Sequence, residues 1–183
     1  MTVKERFLSY VIYPTMSDET SKTVPSTSKQ IEFAHKLAED MKNIGMSDVN
    51  IDKHGYVYGT LKANTDSVSD TIGFIAHMDT SPEASDTNIS PREVKYDGGD
   101  VILNKEKNIV LSPKTYPSLS RYKGQHLIVT DGTTLLGADD KAGVAEIITA
   151  LENIIKGGYC HGTVKAAFTP DEEIGRGADY FDI

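Results

Sequence analysis

Apolar residues recur at helical spacing in three stretches of the chain. Val3, Phe7, Leu8, Val11 and Ile12 form a stripe over Thr2–Ile12, and Pro14 ends it. A polar stretch, Ser17–Ser28, reads as a loop. From Ser28, placed as an N-cap, to Ile44 a second stripe runs through Ile31, Ala34, Leu37, Ala38, Met41 and Ile44, with Gly45 placed as a C-terminal cap. The third covers Asp140–Lys156, with Val144, Ile147, Ile148, Leu151, Ile154 and Ile155 inward and Gly157-Gly158 as the stop. Between the helices the pattern predicts strands at Val49–Asp52 and Tyr56–Lys62, joined by a turn at His54-Gly55, and at Leu127–Thr130 and Thr163–Phe168. Thr71–Ala76 is a continuous apolar run of the kind buried on both faces of a sheet. Met78–Gln125, rich in proline and containing Gly98-Gly99, predicts a long elaborated loop with strand pieces near Val101–Leu103 and Ile109–Leu111. Helices alternating with strands predict an α/β fold: a three-layer αβα sandwich around a mixed, mostly parallel sheet. Such sheets carry their chemistry just past the carboxyl ends of the strands.

Composition narrows the function classes. The 183 residues hold 19 Lys+Arg against 27 Asp+Glu, a net charge of −8, which argues against a nucleic-acid partner because phosphate neutralisation needs a basic face. One cysteine, Cys160, excludes an intrachain disulfide framework and a zinc site built on several thiolates; it reads as a small packed residue. The longest apolar run, Ile72–Ala76, is too short to span a bilayer, and no signal peptide opens the sequence, so the expectation is a soluble, cytoplasmic protein with no membrane partner.

Three hydrophobic segments run into polar clusters. They are Ala76-His77-Met78-Asp79-Thr80, Gly137-Ala138-Asp139-Asp140-Lys141-Ala142-Gly143, and Thr169-Pro170-Asp171-Glu172-Glu173-Ile174-Gly175. Each has a plain reading by itself. His77 can cap a strand, an aspartate can cap the helix after Gly137, and acids after a proline can be a solvated loop. A cap accounts for one of Asp139 and Asp140 and less well for both, since adjacent anions repel unless a cation lies near. Together the clusters place one imidazole and several carboxylates at three element ends of one sheet. Imidazole and carboxylate without thiolate suit a catalytic zinc or similar divalent ion with a position open for water, and extra carboxylates allow bridging of two ions. Of two neighbouring glutamates, one can bind metal while the other stays free as a base.

On these three ordered motifs the chain resembles the zinc-dependent exopeptidase and deacylase superfamily. Within it the closer likeness is to tripeptide aminopeptidases, carried also by Tyr96-Asp97-Gly98-Gly99-Asp100, by Thr130–Gly137 and by Gly177–Asp182. The resemblance implies that His77 and Glu173 bind metal, that Asp139 bridges two zinc ions, that the Asp139–Asp140 peptide is cis, and that Glu172 is the general base. It implies that Asp79 orients His77, and that cobalt or manganese can substitute for zinc. Lys141 is read as solvated or paired locally. The substrates implied are small peptides, cleaved in the cytoplasm.

Chains of that superfamily are much longer. They supply a further acidic ligand, a lid domain and a final histidine ligand beyond the Glu-Glu motif, so residues 1–183 resemble the N-terminal part of the catalytic domain. A bare sheet edge, exposed hydrophobic surface and an inactive isolated fragment are expected. Two other classes stay open on the residues: an N-acyl amino-acid deacylase or carboxypeptidase with the same centre, and a phospho-receiver module holding Mg²⁺ on Asp139-Asp140. A structural or binding piece without turnover is a further reading.

Overall fold

A computed structural model describes residues 1–67 and 70–182. Three helices, α1 (Val3–Val11), α2 (Lys29–Asn43) and α3 (Ala138–Gly157), accompany eight strands. The strands are β1 (Ser47–Ile51), β2 (Val57–Leu61), β3 (Thr71–His77), β4 (Arg92–Lys95), β5 (Val101–Asn104), β6 (Ile109–Leu111), β7 (His126–Val129) and β8 (Thr163–Thr169). The chain divides into two compact units, Met1–Glu83 with Gly137–Ile183, and Ala84–Leu136. Residues 68, 69 and 183 lie outside the described residues.

The first unit holds a four-stranded sheet in the order β1-β2-β8-β3. The turn at Gly55, whose φ of +83° suits a residue without Cβ, folds β2 back antiparallel on β1. β2 and β8 are also antiparallel, while β3 and β8 run parallel from Thr71↔Thr163 to His77↔Thr169. The sheet is mixed, as the pattern predicts, but the expected parallel majority is absent among the described strands. A tight turn can only reverse the chain, and the one long crossover through α3 produces the one parallel pair.

All three helices pack on one face. Val57, Leu61, Val164, Ala166 and Phe168 point toward them and are buried, and Gly59 leaves room for the Met41 side chain of α2. Tyr10 of α1 meets Phe33 of α2 edge to face, with ring centroids 5.3 Å apart. Arg6, 3% exposed, joins α1 to α3: its Nε donates to Thr149 at 3.0 Å and its Nη2 pairs with Glu152. The opposite face carries no helix among the described residues. Tyr58, Thr60, Ile75, Lys165 and Phe181 line a shallow cavity of about 490 Å³ there. Two of the three expected layers are therefore in this chain.

β3 departs from the sequence reading. It is one of the two edge strands, and Ile72, Phe74 and Ile75 are 56%, 47% and 59% exposed, with burial beginning at Ala76. An apolar run does not distinguish a central strand from an edge strand that lacks its outer neighbour, so the reading of burial on both faces fails here.

The second unit is loop-rich, with β5 and β6 at the two expected strand pieces; β4 is the strand that the pattern did not predict. β4 pairs antiparallel with β7, and β5 with β6. Tyr96, Val101 and Leu119 form a small core with Val94, Leu103, Leu111 and Leu127 around it. Of these strands only β4, four residues with one apolar position, is not read from the pattern. No helix among the described residues is long and apolar enough to cross a membrane.

Candidate metal centre

The in-register parallel pairing of β3 and β8 brings their carboxyl ends side by side, and the peptide N–H of Met78 donates to the Thr169 carbonyl at 2.8 Å. Both polar clusters then leave the sheet at the same level. The first residue past this point that matters is Asp79, which is fully buried. Its Oδ1 accepts the Glu172 N–H at 2.9 Å and its Oδ2 accepts the Glu173 N–H at 3.0 Å. Its Oδ1 also lies 3.4 Å from His77 Nδ1, and its carbonyl oxygen 3.1 Å from the same nitrogen. Asp79 thus holds the imidazole, through its carbonyl with the carboxylate beside it, and the Glu-Glu turn, through both carboxylate oxygens, leaving His77 Nε2 to face outward.

The third contribution comes from the start of α3. Gly137 adopts φ +75° against Thr80, and the Asp139–Asp140 peptide is cis, as the resemblance implies. Asp139 and Asp140 have non-helical backbone angles, so the helix proper begins at Lys141. The two acids then part company. Asp140 Oδ1 accepts the Gly143 N–H at 3.1 Å, which is the capping role. Asp139, with its side chain 86% exposed, places Oδ1 2.9 Å from His77 Nε2.

Ligand atoms of His77, Asp139 and Glu173 all lie within 4.8 Å of one another. Glu172 Oε2 is 3.7 Å from His77 Nε2, and its side chain is 57% exposed. The electrostatics report crowding of anions. Burial works against the His77 charge, yet the hydrogen bond and charge of Asp79, then Asp139 and Glu172, outweigh it and raise the pKa to about 9. Glu173 is raised chiefly by burial and further by the charges of Asp139, Asp79 and Glu172. Burial also raises Asp140. In the metal-free protein a proton on His77 supplies the positive charge these carboxylates face. A divalent ion suits the same place: three donors without thiolate leave a tetrahedral ion one open position, and ligands on one zinc stand roughly 3.4 Å apart, a small contraction from the span seen.

Two features were not read from the sequence. Lys141 is not solvated. It is fully buried, donates from Nζ to the Tyr13 carbonyl at 2.7 Å and lies 5.3 Å from the Phe33 ring centroid, because the helix starting there turns the side chain into the core. Ser26, Gln30 and Asp171 form a buried cluster behind the Glu-Glu turn, with Asp171 and Gln30 both fully buried. The available signal was Gln30 itself, a polar residue on the stripe that buries Phe33, Ala34, Leu37 and Ala38. Cys160, read as packed, is exposed.

No family model matches the chain. Proteins named peptidase T from Clostridium botulinum (strain Hall) and from Clostridium acetobutylicum are 60% and 58% identical to it over 183 residues, 99% of this chain and 45% of theirs. The chain therefore spans a little under half the length of these curated relatives. Among solved structures, aminopeptidase PepT from Bacillus cereus superposes with a TM-score of 0.66 at 26% identity, covering 98% of this chain and 39% of that one. A tripeptidase from Staphylococcus aureus gives 0.64 at 25% identity, with coverage of 98% and 39%. An M20 family metallo-carboxypeptidase from Sulfolobus solfataricus shares the fold, with a TM-score of 0.56 at 16% identity over 96% of this chain and 32% of that one. In sequence and in fold alike, this chain is similar along nearly its whole length to part of the peptidase T proteins.

Proposed function

We propose that the chain is the N-terminal part of the catalytic domain of a metal-dependent aminopeptidase that releases the N-terminal residue of tripeptides. The observation that carries the proposal is the convergence of His77, Asp139 and Glu173 ligand atoms within 4.8 Å, in a chain 60% identical to proteins named peptidase T. His77 Nε2, Asp139 and Glu173 would hold zinc, with cobalt or manganese as substitutes, and Asp139, exposed and with two oxygens, would be shared between two ions. When bound, such ions act as Lewis acids and lower the pKa of water near them.

The other roles belong to the chain's own groups. Asp79 receives His77 Nδ1, which keeps the ring fixed with Nε2 toward the centre. Glu172, next to a ligand and itself well exposed, takes the proton of the attacking water and returns it to the leaving amine. The Asp79 clamp sets where both glutamates start from the backbone, so that their carboxylates stay free for this work. A cytoplasmic location accompanies the reading, and fractionation of the source cells tests it.

Release of the N-terminal residue is measured from an unblocked tripeptide, an N-acetylated tripeptide and an N-acyl amino acid, with and without zinc. The assay uses the 183-residue chain and the longer protein it is proposed to begin. Zinc-dependent cleavage of the unblocked peptide alone by the longer protein, and none by the 183-residue chain, is the expected result. Hydrolysis of the acyl substrates instead makes the protein a deacylase. Glu172→Gln in the longer protein is expected to keep its metal and lose about 10²–10⁴-fold in turnover. A Glu172→Gln protein that stays fast removes the base from this carboxylate.

A further inference from the structure

The carboxylates of Glu172 and Glu173 project from a turn closed by its own backbone bonds, Gly175 N–H to the Glu172 carbonyl at 2.7 Å and Arg176 N–H to the Asp171 carbonyl at 2.9 Å, and its first N–H groups are held from outside. Three successive peptide N–H groups, those of Asp171, Glu172 and Glu173, are each accepted by a buried side chain. Glu172 and Glu173 donate to Asp79, as described above, and Asp171 donates to Gln30 Oε1 at 3.2 Å. The Gln30 amide answers with its other end, Nε2 donating to Asp171 Oδ1 at 2.7 Å. Gln30 thus grips the backbone and the side chain of one residue at once.

Ser26 completes this grip. Its N–H donates to Asp171 Oδ2 at 2.7 Å, and its hydroxyl donates to Oδ1 at 2.5 Å. Asp171 is fully buried and sits at φ +57°, a conformation unusual for a residue with a side chain. A buried carboxylate at that angle persists only if its surroundings hold it, and the surroundings here are Ser26 and Gln30. From the other side of the turn, Arg176 Nη1 donates to the carbonyls of Thr23 at 3.1 Å and Ser21 at 3.3 Å. The polar stretch before α2 and the first turn of that helix therefore form a second clamp on the Glu-Glu turn. It shares no residue with the Asp79 clamp.

From this geometry we infer that Gln30, assisted by Ser26, is a positioning residue that acts through Asp171 to aim the carboxylates of Glu172 and Glu173. The inference rests on the proposed metallopeptidase reading for what those carboxylates do. A group displaced by a fraction of an ångström loses metal affinity or rate by about 10–100-fold when the partner that orients it is removed. The polarity of the clamp also makes a reversal possible. Gln30→Glu sets an oxygen against Asp171 Oδ1, and adding Asp171→Asn supplies a donor at that place again.

The test uses Gln30→Met, Ser26→Ala, Gln30→Glu and the double variant Gln30→Glu/Asp171→Asn. In the longer protein, Gln30→Met and Gln30→Glu are expected to lower kcat for an unblocked tripeptide about 10–100-fold with KM within about twofold, and the double variant to recover at least half of that loss on a logarithmic scale. With cobalt alone as probe, the visible absorption of the bound ion is expected to change in the two single Gln30 variants and to return in the double. Amide hydrogen exchange at Glu172 and Glu173 in the metal-free 183-residue chain is expected to quicken in Gln30→Met and, to a smaller extent, in Ser26→Ala. Unchanged kcat and cobalt spectrum beside a lowered melting temperature would make Gln30 merely structural and overturn the inference. If the unsubstituted protein neither binds cobalt nor cleaves peptide, the peptidase reading falls, and exchange decides alone: equal rates in parent, Gln30→Met and Ser26→Ala refute the positioning role.

Discussion

Asp79→Asn isolates the first clamp with almost no change of shape. The native carboxylate is fully buried and accepts two peptide N–H groups, at 2.9 and 3.0 Å, with His77 Nδ1 beside it. Hydrogen bonds to a charged acceptor are worth about 1.5–3 kcal/mol each. In the amide, one oxygen still accepts, at the neutral value of about 0.5–1.5 kcal/mol. The other position becomes an NH₂ facing a peptide N–H, two donors with nothing between them. The change loses roughly 1 kcal/mol at the first contact and roughly 2 kcal/mol at the second, about 3 kcal/mol in total. Urea unfolding of the metal-free 183-residue chain and its Asp79→Asn variant, with a chelator present, measures that difference through the midpoint at constant slope. A loss below about 1 kcal/mol would refute the reasoning, since that is no more than a single neutral hydrogen bond. The same variant is expected to bind zinc about 10–100-fold more weakly in a chelator competition, because the ring and the Glu-Glu turn lose their common support.

Metal-free stability should depend on pH through His77. Its pKa is raised to about 9 in the folded chain from the ordinary 6.5, so its contribution is fully present below pH 6.5 and is lost as pH rises through 9, about 3 kcal/mol in all. Urea midpoints at pH 6 and 9.5 check this, and stability that is flat or rising across the interval contradicts it. Glu152→Leu leaves the Arg6 guanidinium, 3% exposed, with the Thr149 and Tyr10 hydroxyls and, for charge, Asp40 at 3.9 Å, and is expected to cost about 3–5 kcal/mol, of which Arg6→Met in the same chain restores part. Thermal denaturation of the single and double variants measures it. Ile75→Lys places a charge on the edge strand β3, where Ile75 is 59% exposed, and is expected to reduce aggregation of the 183-residue chain followed by light scattering. Equal aggregation would mean that association runs through another surface.

Much of the site was legible because it is written in dense local motifs. His77, Asp139 and Glu173 each have a plain local reading, and it was the three motifs taken together that pointed to them; their ligand atoms lie within 4.8 Å of one another. The helices were legible for another reason: fifteen and twenty residues of α2 and α3 give periodicity room to repeat. The short strands β5, β6 and β7 were also placed, but β4 was not, and the packing of Tyr96, Val101 and Leu119 into one core depends on contacts that a local pattern does not encode. Exposure of β3 was hidden because burial depends on neighbours that the run itself does not encode. Lys141 and Gln30 were missed for a shared cause. Each is a polar side chain whose partners, Tyr13 and Asp171, lie more than a hundred residues away, and local reading looks for partners nearby.

The alignment of β3 on β8 has a consequence for how the chain folds. Side chains alternate between the faces of a sheet, so a slip of one residue would turn His77 toward the helices and carry Ala76 or Met78 into its place, with most of the ladder intact. Backbone pairing alone discriminates weakly between such neighbouring alignments. Asp79 does discriminate, because only the native one lets its two oxygens reach the amides of Glu172 and Glu173 together. The carboxylate that supports the centre therefore also proofreads the strand match beneath it, and a mispaired sheet would announce itself as an aspartate buried without partners.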